Sequence, residues 1–220
     1  MGQLLGKIDV EMPAHEVLST PPGGFYEVRK YPPAVAVETP HSTGKDGRPD
    51  DGSSFNRLAK YIGVFGNPQN TKTEGEGGET IAMTAPVVTA GGSEQIAMTA
   101  PVVTAQDSDI HSGVMQFLLP SKFTMETAPK PTDPQVSLRE IPARTLAVHT
   151  FSGWTNAKYV AEKETALMDA LKKDKVEVCG KPFLLRYNPP WTLGPMRRNE
   201  VVVAVKYDSP QTGGADAASK

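Results

Sequence analysis

Histidine and cysteine are weighed first, because imidazole and thiolate carry most metal-ligating and nucleophilic chemistry. The four histidines, His15, His41, His111 and His149, include no i, i+4 pair that would share a helix face, and none adjoins Cys179. No local metal centre is written in these spacings. A nucleophile elbow, a phosphate-binding loop and a dinucleotide fingerprint are also missing. Glu162 and Glu164, with Lys158 and Lys163 beside them, read as a solvated helix face with i, i+4 pairing. The group Arg197-Arg198-Asn199-Glu200 is either an anion clamp or a turn whose charges meet water. The strongest site signal is non-catalytic. Phe55, Leu58, Ala59 and Ile62 fall at i, i+3, i+4 and i+7, with Arg57, Lys60 and Tyr61 on or beside the border of that stripe. An apolar face rimmed by two cations and a phenol suits a flat, greasy, anionic ligand.

That helix needs start and stop signals and strands to lie against. Ser53 or Ser54 is placed to cap it, Gly63 to end it, and Gly66-Asn67-Pro68 to prevent its resumption. Before it, FYEVRKYPPAVAVET (Phe25 to Thr39) alternates like strand, broken at Pro32-Pro33, and Pro40 to Gly52 is a loop. After it, a polar loop leads into IAMTAPVVTA at Ile81 to Ala90, repeated without change at Ile96 to Ala105. The copies form either a hairpin or one strand with a looped-out duplicate. VMQFLLP (Val114 to Pro120) is a buried strand and SKFTMETAPKPTDP a crossing loop.

The second half repeats the plan. VSLREIPARTLAVHTF echoes YEVRKYPPAVAVET, matching Arg29 to Arg139 and Pro32 to Pro142, then Ala36-Val37 to Ala147-Val148 with one extra residue. A longer helix opening at Thr155 carries the stripe Ala157, Val160, Ala161, Leu167, Met168 and Leu171, and PFLLRYN and VVVAV follow as strands. Two βαββ units predict an α+β fold, a distorted antiparallel barrel with both main helices outside. The domain spans 25–207, as pseudo-repeats of about 25–120 and 136–207; residues 1–24 read as an N-terminal extension and 208–220 as a disordered tail.

Composition narrows the partners. The 220 residues carry 23 Lys+Arg against 25 Asp+Glu, net charge -2, so bulk charge implies neither nucleic acid nor an anionic membrane as a partner, and none is expected. Cys179 alone forms no intrachain disulfide, so a reducing, cytoplasmic setting is expected. No stretch approaches the roughly 20 apolar residues of a membrane span. MGQLLGKIDV is a poor secretory signal, and Gly6 replaces the Ser or Thr that myristoylation of Gly2 would want.

In order along the chain, EVRKYPPAVAVE, FNRLAKYIGVFGN, IAMTAPVV, MQFLLPSKF, PTDPQVSLREIP, FSGW and RYNPPWTLGPMRRNEV resemble the SOUL or haem-binding protein family over nearly all of Phe25 to Val205. They are most similar to its cytosolic plant and algal members, some with extra Met-Thr-Ala-Pro copies. The resemblance implies the duplicated barrel, a monomer or weak dimer, and reversible binding of haem and other tetrapyrroles by a non-enzymatic carrier or buffer. Two other functions stay open: an enzyme of haem breakdown or iron removal, and a peptide or protein interaction module that binds haem incidentally. Carried over by position, the ligand contacts are Arg57, Leu58, Lys60, Tyr61 and Ile62 on the helix, and Tyr187, Pro190, Trp191 and Arg197 in the late turn. Leu58 and Ile62 also fit an ordinary core stripe. His41, in a polar Pro-flanked loop, is the candidate axial ligand to iron, while His149 reads as a satisfied strand residue and Met83 and Met98 as core fillers. Binding through apolar contact and propionate pairing alone would give weak, exchangeable haem.

Overall fold

Two proline-broken hairpins set the architecture. In the first, β2 (Glu27–Tyr31) stops at Pro32-Pro33 and β3 (Ala34–His41) follows; in the second, β8 (Ser137–Ile141) and β9 (Arg144–Phe151) flank Pro142. Proline has no N–H to donate and disrupts the ladder, so each pair separates instead of zipping together. They exchange partners instead: β2 lies antiparallel to β9, and β8 antiparallel to β3. The structure, a computed structural model, describes residues 6–41, 51–73, 75, 77–90, 113–189 and 191–207.

With β1 (Glu16–Ser19), β5 (Val87–Ala90), β6 (Gly113–Leu118), β11 (Phe183–Arg186) and β12 (Asn199–Lys206), these strands form one strongly curled antiparallel sheet ordered β1-β2-β9-β12-β11-β5-β6-β3-β8, while β4 (Asn70–Thr71) and β7 (Lys130–Pro131) pair in a separate two-stranded sheet. β10 (Glu177–Val178) joins β12. Apart from β1, the order reads the same from either end once each strand is exchanged for its repeat counterpart, a pseudo-twofold passing between β5 and β11. The register corrects the sequence alignment. Tyr31 faces Arg144 as Ile141 faces Ala34, and Arg29 faces Leu146 as Arg139 faces Ala36, so Ala36 corresponds to Leu146 and no extra residue is inserted.

α1 (Asp51–Ile62) packs on β3 and β6, and α2 (Ala157–Lys173) on β12 and β10. α1 begins ahead of the serines expected to cap it. Ser54 instead sits buried inside the helix, its hydroxyl donating to Pro40 O at 3.2 Å. Gly63 ends α1 as expected. At φ +84 its N–H bonds to Lys60 O while Val64 N–H reaches Ala59 O, the paired closure that a left-handed residue permits. α2 starts two residues later than Thr155, because Asn156 supplies the cap, accepting from Tyr159 N–H at 2.9 Å.

Strand alternation divides the core. Val201, Val203 and Val205 lie with Leu167 and Leu171 under α2; Val35, Val37, Met115 and Phe117 lie with Leu58, Tyr61 and Ile62 under α1. Val202, Val148, Leu146, Leu185 and Tyr187 build a third cluster on the opposite, concave face. The stretch set apart as an N-terminal extension joins this body: β1 pairs with β2, and Ile8 and Val10 pack on the concave cluster. The first Met-Thr-Ala-Pro copy enters the sheet as β5 through a cis Ala85–Pro86 bond; the second copy and the tail lie outside the described residues.

Candidate functional site

The concave face holds a buried charge at its centre. Glu200 has no exposed surface, and its Oε1 accepts from Arg29 Nη1 at 2.9 Å, Arg198 Nη2 at 2.7 Å and Thr150 Oγ1 at 3.3 Å. Its Oε2 accepts from the Tyr187 hydroxyl at 2.6 Å. Burial alone would push this carboxyl up, but the hydrogen bonds from Tyr187, Arg198 and Arg29, with the Arg29 charge, bring it below the ordinary carboxylate value. The sequence run Arg197-Arg198-Asn199-Glu200 is thus neither a solvated turn nor an open clamp, since Arg198 is spent on Glu200 two residues away.

One end of the same face encloses a cavity of about 190 Å³. Tyr31 to Val35, Ile141, Arg144, Leu146 and Leu185 line it from the two repeats, and Glu11 to Ala14 from the N-terminal strap. Drug-sized ligand sites run to about 300–1,000 Å³. A tetrapyrrole does not fit here without opening the fold.

The late turn offers a different surface. Beyond the end of β9, Gly153 N–H donates to Gly194 O, and the Trp154 indole covers Gly194 so closely that an added Cβ would lie 2.6 Å from its Nε1. Arg197 stacks its guanidinium 3.9 Å from the Trp154 ring and donates through Nε to Thr192 O at 2.8 Å. Trp154 is 60 % exposed, Trp191 62 %, and Leu193 and Met196 about half. Large apolar side chains left this open, beside a cation, mark a contact surface.

The nine carried-over positions divide accordingly. Leu58, Tyr61 and Ile62 are core under α1, with the Tyr61 hydroxyl donating to Pro129 O at 2.7 Å, and Tyr187 belongs to the Glu200 network. Lys60 is exposed; Arg57 is half-buried, tied to Thr39 Oγ1 at 2.8 Å and Asp133 at 3.9 Å. Trp191 and Arg197 stand on the late turn, while Pro190 lies outside the described residues. Leu58, Tyr61 and Ile62 belong to one core cluster and Tyr187 to another. Trp154, Leu193 and Met196 were missed as site residues. The signal was the FSGW and WTLGPM runs, in which turn-forming glycine or proline leaves an aromatic or apolar residue with no strand to bury it.

Among the histidines, His41 ends β3 opposite Gly113, and its side chain lies outside the described residues. His149 is only half satisfied, correcting the sequence reading. Its Nδ1 bonds Phe25 O at 2.7 Å and its ring stacks on Phe25 at 4.1 Å, but its buried Nε2 has no partner. Burial, outweighing the Phe25 carbonyl and helped by Lys163, holds the imidazole below its ordinary 6.5. The unfolded chain therefore takes up the proton first on acidification, so this contribution to stability is complete above 6.5 and is lost as pH falls towards the depressed folded value. Urea midpoints measured from about pH 8 to pH 5 are expected to decline less in His149→Phe than in the parent; parallel curves would refute it.

A duplicated, curled antiparallel sheet with two outer helices, a small inner pocket and an aromatic rim is the class this architecture defines. The chain belongs to the SOUL heme-binding protein family, whose sequence model matches it over residues 10–93 and 90–204. No curated protein matches it. Solved structures of like fold include the EcmrR C-terminal domain, at 14% identity over 83% of this chain and 98% of that one, TM-score 0.52. An uncharacterized conserved protein from Listeria innocua shares 13% over 82% and 92%, TM-score 0.53, and a hydrolase from the same organism 12% over 82% and 91%, TM-score 0.51. At such identities the likeness is one of fold alone. No helix among the described residues is long and apolar enough to cross a membrane.

Proposed function

We propose that the protein binds haem and other tetrapyrroles reversibly, as a cytoplasmic, monomeric carrier or buffer close to the plant and algal branch of its family. The observation that carries this reading, beside family membership, is the exposed surface of Trp154, Trp191, Leu193 and Met196 with Arg197 at its edge. A porphyrin presents a broad apolar face and two propionates, and this surface supplies π-faces, aliphatic contact and a guanidinium. Arg57 and Lys60 on α1 are the further cations on the carried-over list that reach the surface. The ring would be only half covered, which gives the fast release a carrier needs. Iron, if ligated by the protein, would be held by His41.

Apo-protein titrated with haemin and with metal-free protoporphyrin, followed by the Soret band and tryptophan fluorescence, tests this. Both should bind saturably at one to one. Trp154→Ala and Trp191→Ala should each weaken both by about tenfold, as expected for one lost ring-stacking contact of roughly 1–3 kcal/mol. His41→Ala should leave protoporphyrin binding unchanged and alter only the haemin spectrum if it ligates iron. Absence of saturable binding to either porphyrin would sink the function. Unchanged affinity in both tryptophan variants would move the site back to α1.

A further inference from the structure

The turn that carries Trp191, Leu193 and Met196 runs from Tyr187 to Arg198 between β11 and β12. Those three side chains stand in solvent, so their burial does not order the turn, and its shape depends on what ties its backbone. At the base, Tyr187 N–H donates to Arg198 O at 3.2 Å; at the tip, Met196 N–H donates to Leu193 O at 2.9 Å. Gly153, beyond β9, holds the middle through Gly194 O. A further tie comes from the far end of the chain.

Gly6 meets this turn at two points. Its carbonyl accepts from Asn188 Nδ2 at 3.2 Å, and the same Asn188 side chain accepts Arg198 N–H on Oδ1 at 2.7 Å. One amide thus joins the N-terminal strap to the base of the turn, its donor used on one and its acceptor on the other. At Gly6 itself φ is +84, a region that L side chains rarely adopt, and an added Cβ would overlap Met196 O and lie 3.1 Å from Met196 Cβ. Backbone angle and space together require glycine here. Met196 belongs to the tryptophan surface, so the strap is seated on the binding face's own turn.

The strap is patterned to reach this seat. From Lys7 to Val10 the chain alternates, with Ile8 and Val10 packed on the concave cluster and Lys7 and Asp9 exposed and paired at 2.9 Å. Its other end is fixed at Glu11: Ala85 N–H donates to the Glu11 carbonyl at 2.9 Å, and Ser121 N–H to its Oε1 at 2.8 Å. Lys7 to Asp9 lie in no strand, so releasing the Gly6 end breaks no ladder of the main sheet. It removes the tie on Asn188 and the contact on Met196, and leaves the Glu11 end fastened.

We propose that this strap is a clasp that positions the tetrapyrrole surface, with Gly6 and Asn188 as the positioning residues: seated, it holds the turn in the form whose Trp191 and Met196 receive the ring. The assignment rests on the tetrapyrrole reading above. A turn freed at this corner samples other shapes, and only the fraction in the seated shape binds, so the apparent affinity falls by that fraction.

Trp154 and Trp191 are the chain's two tryptophans and both stand on this surface, so their indole N–H signals in isotope-labelled, full-length protein report the turn directly by NMR. Gly6→Ala blocks the seat; Asn188→Asp keeps the acceptor for Arg198 N–H and withdraws the donor to Gly6. Both should move the Trp191 signal and weaken haemin and protoporphyrin alike by about three- to tenfold, the loss of one hydrogen bond, with the urea midpoint close to the parent's. Gly6→Ala adds no charge, so agreement between the two variants separates positioning from repulsion of the propionates. Gly23→Ala, at φ +92 with nothing within 4 Å, carries backbone strain alone and should leave the signals in place. Its porphyrin affinity should stay within about twofold. Indole signals unmoved in both seat variants would overturn the clasp. Moved signals with parental porphyrin affinity would overturn its part in binding. A parent that binds neither porphyrin would overturn the tetrapyrrole reading and with it the ligand half of the proposal, and the indole signals would then decide the clasp.

Discussion

Glu200→Leu is expected to cost about 3–5 kcal/mol of stability, the range for removing one partner of a buried ion pair, and to lower the melting temperature by roughly 6–20 °C. The size follows from what is stranded. Arg29 is 6 % exposed at its side chain and Arg198 35 %, and without Glu200 the deeper guanidinium keeps, among the described residues, Glu27 at 2.7 Å as its counter-charge. Tyr187 loses the acceptor of its hydroxyl. Because desolvation has already been paid in full for Arg29 and only partly for Arg198, Arg29→Leu should destabilise more than Arg198→Leu. The double variant Glu200→Leu/Arg29→Leu should recover part of the loss, since two apolar side chains leave fewer charges unpaired. Thermal and urea unfolding of these four proteins decide it; a single Glu200→Leu cost below about 1 kcal/mol would mean the network is solvated. The pH signature has a definite sign. With the folded carboxyl held below 4.5, the network's contribution is present above that value and disappears as pH falls through the depressed one.

This network also shows where reading the chain stopped being informative. The duplication was legible, because EVRKYPP and LREIPAR are local patterns whose proline breaks dictate strand ends. So was the helix end at Gly63, a matter of one residue's backbone freedom. The exchange of β2 and β8 between repeats was not, since pairing over more than a hundred residues leaves no local trace and either hairpin alone satisfies the same alternation. The one-residue gap placed between the repeats is the cost of aligning by residue likeness: Ala147-Val148 looks like Ala36-Val37, but the ladder sets Leu146 opposite Ala204 as Ala36 is opposite Leu118. Glu200 was read beside its chain neighbours Arg197 and Arg198, whereas Arg29, Thr150 and Tyr187 reach it through the fold. For the candidate site, the apolar stripe of α1 gave the correct buried face, but a stripe states only that a face is covered, not whether protein or ligand covers it.

Leu58→Ala settles that ambiguity, and its expected result is a loss of about 2–5 kcal/mol of stability, as for other fully buried leucines. Leu58 is wholly buried among Val35, Val37, Met115 and Phe117, on a helix whose neighbouring Tyr61 is fixed to Pro129 O and whose end is held by Gly63. Neither the helix nor the sheet can move in far enough to refill the space, so the cavity term adds to the lost transfer energy. Lys60→Ala, on the exposed face of the same turn, should cost no more than about 0.5 kcal/mol. Measured together with porphyrin affinity, the pair separates two causes of one phenotype. If α1 is core on this face, Leu58→Ala lowers the urea midpoint while the folded protein, below its melting temperature, binds protoporphyrin as the parent does. If instead the helix opens to admit the ring, Leu58→Ala weakens binding in proportion to lost contact even where the variant is fully folded. The first outcome assigns any haem defect of Leu58, Tyr61 or Ile62 variants to folding and leaves Trp154, Trp191 and Arg197 as the recognition surface. The second would make the buried stripe a gated wall of the site, and the free energy of opening it would then set the affinity.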